Sequence, residues 1–259
     1  MAYDFAHGSG TVNDPYQIWT QADLEGINDV NSESQPNYFE NHFIQKADLA
    51  LVNYDCDSLV MVGCTYDGDN HKVTGLEDFF FYQFLGEGTF KNLLFISPEI
   101  SKSDMGLEGT GIISYVGNFS GEVEIDNVIV LGATISGELY VGGFVGQADE
   151  ASFSECYVLG TKVSGEQYIG GFVGFANDCY FERCIAHGEV EATDEWSYVG
   201  GFAGYLREEA SCCGADVAVT GKNYVGGFCG EGDNCNIENC YALGDVVGYD
   251  YVGGFGGML

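Results

Sequence analysis

Side chains that could hold a cation recur in the second half of the chain as neighbouring pairs. They are Asp149-Glu150, Asn177-Asp178, Glu208-Glu209 and Asp233-Asn234. Calcium takes oxygen ligands of this kind, and Na+ or K+ would sit there as looser counter-ions. The same residues read equally well as a solvated rim. Asp149, Glu150, Asn177, Asp178, Asp233 and Asn234 are therefore candidates for a cation or glycan rim. Paired carboxylates also cleave polysaccharides. Here no pair stands in a distinctive motif, because 40 acidic residues are spread along the chain against 8 basic ones. No catalytic residue is assigned, and the chain is expected to be non-enzymatic. His7, His42, His71 and His187 are scattered, with no spacing that predicts a triad or a metal cluster.

Ten cysteines are the other reactive set. Cys156, Cys184, Cys213 and Cys240 recur at a near-constant interval, as small buried apolar residues would in a reducing compartment. Cys179-x4-Cys184 and Cys235-x4-Cys240 lie outside the spacing usual for zinc and lack paired histidines. Disulfides are the alternative to buried thiols. Cys212 and Cys213 are adjacent, so in a strand they point to opposite faces and need not bond each other.

These residues are spaced by a repeat. Tyr140-Val141-Gly142-Gly143-Phe144-Val145-Gly146 returns at Tyr168, Tyr198, Tyr224 and Tyr251, with Tyr115-Val116-Gly117-Asn118-Phe119 as a degenerate earlier copy. The tyrosine spacings are 25, 28, 30, 26 and 27 residues. Self-similarity at such a period marks a stacked repeat protein. Each unit holds three short apolar runs rich in Val, Ile, Tyr and Phe, bounded by Gly, Asn and Asp, which read as strands. No amphipathic stretch between them is long enough for a crossover helix. The predicted fold is all-β, a right-handed parallel β-solenoid with about three short strands per coil of 25–30 residues. Successive coils then stack like residues about 4.8 Å apart. The repeat-defining positions are Tyr140, Gly143 and Phe144, then Tyr168, Gly171 and Phe172, Tyr198, Gly201 and Phe202, and Tyr224, Gly227 and Phe228. The glycines are expected to turn a corner at positive φ or to admit close backbone approach. Val145, Val173, Ala203, Cys229 and Gly256 are small and are expected to face inward.

The Tyr-Val-Gly-Gly-Phe-Val-Gly copies, followed by Asn239-Cys240-Tyr241-Ala242-Leu243-Gly244, resemble the GLUG repeat family. Gly63 to Leu76 and Gly8 to Ile18 are similar to the segments that open such arrays. The resemblance covers nearly the whole chain. It implies a β-solenoid of surface proteins, adhesins and accessory regions of some secreted proteases, used for display or binding, with no catalytic residues to carry over.

Composition bounds the rest. With 259 residues and 46% hydrophobic content the chain folds, and 39 glycines against 3 prolines suit a turn-rich β protein. The N-terminus shows no signal peptide, and no apolar run is long enough to span a membrane. A net charge of −32 repels nucleic acid and anionic membranes. It is tolerated where salt screens it, with a Debye length of about 3 Å at 1 M, so a halophilic source is expected. An ordinary acidic surface protein and a calcium-saturated one are the alternatives.

Residues 1–37 read as an opening strand and a short capping helix with Thr20 as N-cap and Leu24 and Ile27 on one face. Residues 38–114 read as irregular coils, in which Phe79 to Phe84 is core rather than a partner-binding patch. Residues 115–259 read as regular coils whose last motif leaves a sheet edge for a neighbouring subunit to cover. The function expected is a structural or adhesive solenoid displayed on a surface, as a virion component (capsid turret, decoration or tail receptor-binding protein) of a halophilic archaeal system. The alternatives are a cell-surface adhesin or glycan-binding module, and a β-helical polysaccharide-degrading enzyme. The partners expected are a homo-oligomer or other proteins of an assembly and a surface glycan or receptor, with no nucleic acid and no membrane insertion. The location is a virion or the extracellular surface.

Overall fold

The computed structural model of the chain describes residues 3–30, 41–56, 59–103, 109–117 and 121–259. Residues 31–37 of the opening segment, and Asn118 and Phe119 of the degenerate copy, lie outside them. The chain forms a parallel β-solenoid of about eight turns with one short helix, Gln21–Val30. One inward column follows the whole length through in-register pairing. It runs Tyr16, Phe43, Tyr66, Phe90, Ile125, Phe153, Phe181, Ala210 and Ile237. Parallel strands must be joined by a crossover, and here the remaining faces of each coil serve as that crossover.

Side-chain alternation explains which residues fill the core. In Val123–Leu131, Val123, Ile125, Val128 and Val130 are buried while Glu124 faces out. Phe79, Phe80, Phe81 and Phe84 are all buried, with Phe80 meeting Phe81 at 4.5 Å and Phe95 edge-on at 5.0 Å. Such aromatic pairs add about 0.5–1.5 kcal/mol each beyond the area they bury. Val145, Val173, Ala203 and Cys229 form one inward column, as their small size predicts, and Gly256 continues it.

The helix begins as its sequence predicts. Thr20 Oγ1 accepts from Asp23 N at 3.3 Å, and Asp23 Oδ2 accepts in return from Thr20 N at 2.9 Å. This reciprocal cap satisfies donors that a helix start leaves free. Leu24 and Ile27 are buried with Ile18 of the first strand.

Corners are set by left-handed residues in columns. Asn127, Glu155, Arg183, Cys212 and Asn239 have φ between 50° and 55°, one per coil. Glu150, Asp178 and Asn234 have φ of 50°, and Glu208 has 86°. Asn and Asp adopt this conformation more readily than Glu or Arg. The first column also explains the adjacent cysteines: Cys212 occupies the corner and is exposed, while Cys213 follows it inward.

One local expectation resolves to one of its two alternatives, and another needs correction. Gly142 and Gly143 are not at positive φ; close approach requires them. A Cβ on Gly142 would lie 2.0 Å from Val145 O, and one on Gly143 would lie 2.3 Å from Gly171 O in the next coil. Tyr115-Val116-Gly117 is not a ladder copy. It pairs with Gln147 and Ala148, whereas Thr110 bridges Val141, so the true equivalent lies earlier in the chain.

Candidate functional site

The acidic rim is a column on the outer face of the strands Val145–Asp149, Val173–Glu182, Ala203–Ser211 and Cys229–Glu238. Asp149 pairs with Asn177 in register, and Arg207 pairs with Asp233. Between them, register brings Arg207, not Glu208, against Asn177: Ala176 opposes Leu206, and the ladder resumes only at Cys179 with Glu208. The expected third pair, Glu208-Glu209, is therefore displaced by one residue, and a cation stands where an acid was expected. Asn177 Nδ2 donates to Asp149 Oδ1 at 2.6 Å and to Asp178 Oδ2 at 3.1 Å. Arg207 Nη1 donates to Asn177 Oδ1 at 3.1 Å, and its Nε lies 3.6 Å from Asp178 Oδ1. Glu150, Asp178 and Asn234 hold the left-handed corner beside this column. Among the described residues no cluster of three or more His, Cys, Asp or Glu is arranged to hold a metal ion.

The rim adjoins two aromatic ladders. Tyr205 OH donates to Asp233 Oδ2 at 3.2 Å, and its phenol is pushed up to about 12, by burial first and then by Asp233. Glu231, two residues before Asp233 on the same strand face, is raised above the usual carboxylate range by burial and then by the Asp233 charge. Phe175 stacks on Tyr205 at 4.5 Å and 7°. Beside them Tyr168, Tyr198, Tyr224 and Tyr251 stack at 4.8, 4.6 and 4.7 Å with their planes within 15°. Tyr140 joins at 5.4 Å and 37°. These tyrosines lie outward, and the phenylalanines of the motif lie inward: Phe172, Phe202, Phe228 and Phe255 stack at 4.9, 4.9 and 5.0 Å. Alternation could not separate the two ladders because both have apolar neighbours. Rings stacked face to face along the axis spend their faces on one another, so the Tyr ladder presents edges and hydroxyls, not a plane for a sugar.

All ten cysteines are free thiols. Cys184 N donates to Cys213 Sγ at 3.4 Å and Cys213 N to Cys240 Sγ at 3.3 Å, so the column follows the coil spacing. Burial raises the Cys184 thiol well above its ordinary value and pushes Cys64 up to about 12. Buried thiols of this kind are poor nucleophiles.

Sequence reading missed one pairing. Asp48 and His71 lie a coil apart, with His71 Nδ1 3.2 Å from Asp48 Oδ1. Asp48 also accepts from Lys72 N at 3.1 Å, and that bond is the main reason its carboxyl is held below the usual range. The ladder brings them together, since Leu49 pairs with Val73. Each of the eight basic residues lies within 4.0 Å of an acidic side chain, so none is left as an anion-binding point.

A profile of the GLUG motif matches residues 221–247. This chain carries a GLUG motif within a parallel β-solenoid. Comparison with curated proteins finds no match. Two solved structures share the fold. One is a protein from Bacteroides ovatus assigned as an immunoglobulin A1 protease, with 18% identity and a TM-score of 0.56 over 92% of this chain and 78% of that one. The other is an IgA1 protease, with 17% identity and a TM-score of 0.57 over 91% of this chain and 21% of that one. At these identities the likeness shows the fold alone. It nevertheless overturns the expectation of a non-enzyme, because proteins with this fold are named as proteases. The comparisons give a virion role no support.

Proposed function

We propose that the chain is a rigid recognition solenoid of a surface protein, an adhesion module that binds an extracellular ligand along its side. The observation that carries this reading is the pairing of a GLUG motif with a fold that fills only 21% of an IgA1 protease. A solenoid of this type is there one part of a larger protein. A surface on which every basic residue is already paired favours uncharged or cationic ligands over anionic ones. The test is an array of polysaccharides and glycoproteins probed with the purified chain. Saturable retention of an uncharged ligand supports the reading, and retention of polyanions alone would overturn it.

A second reading is favoured by the neighbours' names: participation in proteolysis of an immunoglobulin. Incubation with IgA1 and analysis of fragments by mass tests it. A discrete set of fragments supports this reading, and intact IgA1 after long incubation counts against it.

A further inference from the structure

The ladder tyrosines cannot offer ring faces, but two aromatic residues on the turns leading into the ladder can, Trp196 and Tyr249. Trp196 and Tyr249 lie on the turns that lead into Tyr198 and Tyr251, two coils apart, and Lys222 lies on the turn of the coil between them. Tyr249 N donates to Lys222 O at 2.9 Å, which fixes these two turns side by side. Trp196 is 72% exposed and Tyr249 is 83% exposed. Among the described residues neither ring meets another aromatic side chain, so both keep their faces open. Lys222, between them, is drawn aside to Glu195 at 3.6 Å. Asp194 Oδ1 accepts from Trp196 N at 3.1 Å and holds the loop that presents the indole.

Two coils separate the rings, and the neighbouring ladder measures those coils at 4.6 and 4.7 Å. A sugar in an extended polysaccharide advances by about 5 Å, close to the spacing of adjacent strands. Every second sugar turns the same face to one side, so two coils match one such repeat. The carboxylates of Asp194, Glu195 and Asp250 lie beside the ridge in sequence, where they can accept from sugar hydroxyls. The net charge of −32 excludes polyanions.

We propose that Trp196 and Tyr249 form a carbohydrate-stacking ridge for an uncharged, extended polysaccharide lying along the solenoid axis. The inference rests on the recognition reading above and specifies its ligand and its site. The test uses cellohexaose and N-acetylchitohexaose in titration calorimetry, with heparin as the anionic control. The expected result is binding of at least one neutral oligosaccharide, reduced at least about tenfold by Trp196→Ala and less by Tyr249→Ala. Trp196→Phe should retain most of the binding, since the ring and not the indole N–H is used. Both positions are exposed, so the fold survives the changes, and circular dichroism verifies that. Binding of the neutral sugar that is unchanged in Trp196→Ala would overturn this site while leaving the recognition reading intact. Failure of both oligosaccharides, or Trp196-dependent binding of heparin, would also overturn it. If the array above retains an uncharged ligand whose binding ignores Trp196, only the ridge fails.

Discussion

Arg207 Nη1 and Asn177 Oδ1, in adjacent coils, meet at 3.1 Å, so the acidic rim carries its own cation. Removing that charge leaves Asp149, Asp178 and Asp233, spread over four coils, with no positive side chain among them. Arg207→Met keeps the apolar stem and should lower stability by about 1 kcal/mol in dilute buffer. Because exposed like charges are screened within about 3 Å at 1 M salt, the difference should shrink in molar NaCl. Chemical denaturation at two salt concentrations measures both.

Gly171 has no room for a methyl group. A Cβ there would sit 2.2 Å from Gly201 O, a backbone atom of the next coil. Gly171→Ala should cost about 1–3 kcal/mol through overpacking. Gly160, whose Cβ would meet nothing within 4 Å, is left-handed at φ 66°. Alanine there should cost less and through a different mechanism, backbone strain of about 1 kcal/mol. Melting temperatures of the two variants separate the cases.

Glu208 is strained in the opposite sense. It holds φ of 86° at a register shift, pairing with Cys235, and the next coil holds its own left-handed residue there, Asn234 at φ 50°. Glu208→Gly should stabilise by about 0.5–1 kcal/mol, the strain relieved being partly offset by glycine's greater unfolded freedom. Glu208→Asn should lie between the two, as read by urea midpoints.

Glu231 titrates with a clear sign. Burial raises its folded pKa above the unfolded one, so its neutral form favours folding. That contribution is present below the unfolded pKa and lost as pH rises through the folded one. Glu231→Gln should therefore be more stable than the parent at pH 7, by less than about 1 kcal/mol because the side chain is only partly buried. The two should converge below about pH 4. Thermal melts from pH 3 to 8 trace the difference.

Cys212 should be the first thiol to react. It is exposed at its corner, while Cys213 beside it is buried with its thiol pushed up to about 12. A disulfide reagent should label Cys212 rapidly in the native protein, and Cys184 and Cys179 only after unfolding. Peptide mapping of the labelled sites tests the order.

Much of the fold was legible because it repeats. Like residues stacked at one position announce the coil and the inward small column without help from distant contacts, and Thr20 with Leu24 and Ile27 announces the helix. The same logic misled where a match was local: Tyr115-Val116-Gly117 copies the letters of the motif but sits in a different column. The rim was legible as a place but not as a network, because one register shift puts Arg207 where Glu208 was expected. Asp48 and His71 were missed for a related reason. In the irregular coils no repeated letter marks the spacing, so only the ladder itself shows that they are neighbours.

The inward column from Tyr16 to Ile237 has a consequence for how such a rod changes size. Each coil touches chiefly the coil before and the coil after it, so one more copy of the unit adds length while its interior meets residues of its own kind. A duplication of about one repeat is thus structurally conservative. A deletion inside a strand would turn inward side chains to solvent as far as the next corner, whereas a residue more or less at a corner is absorbed there, as between Arg207 and Glu208. The rod tolerates change in whole coils and at its corners, and is brittle within its strands.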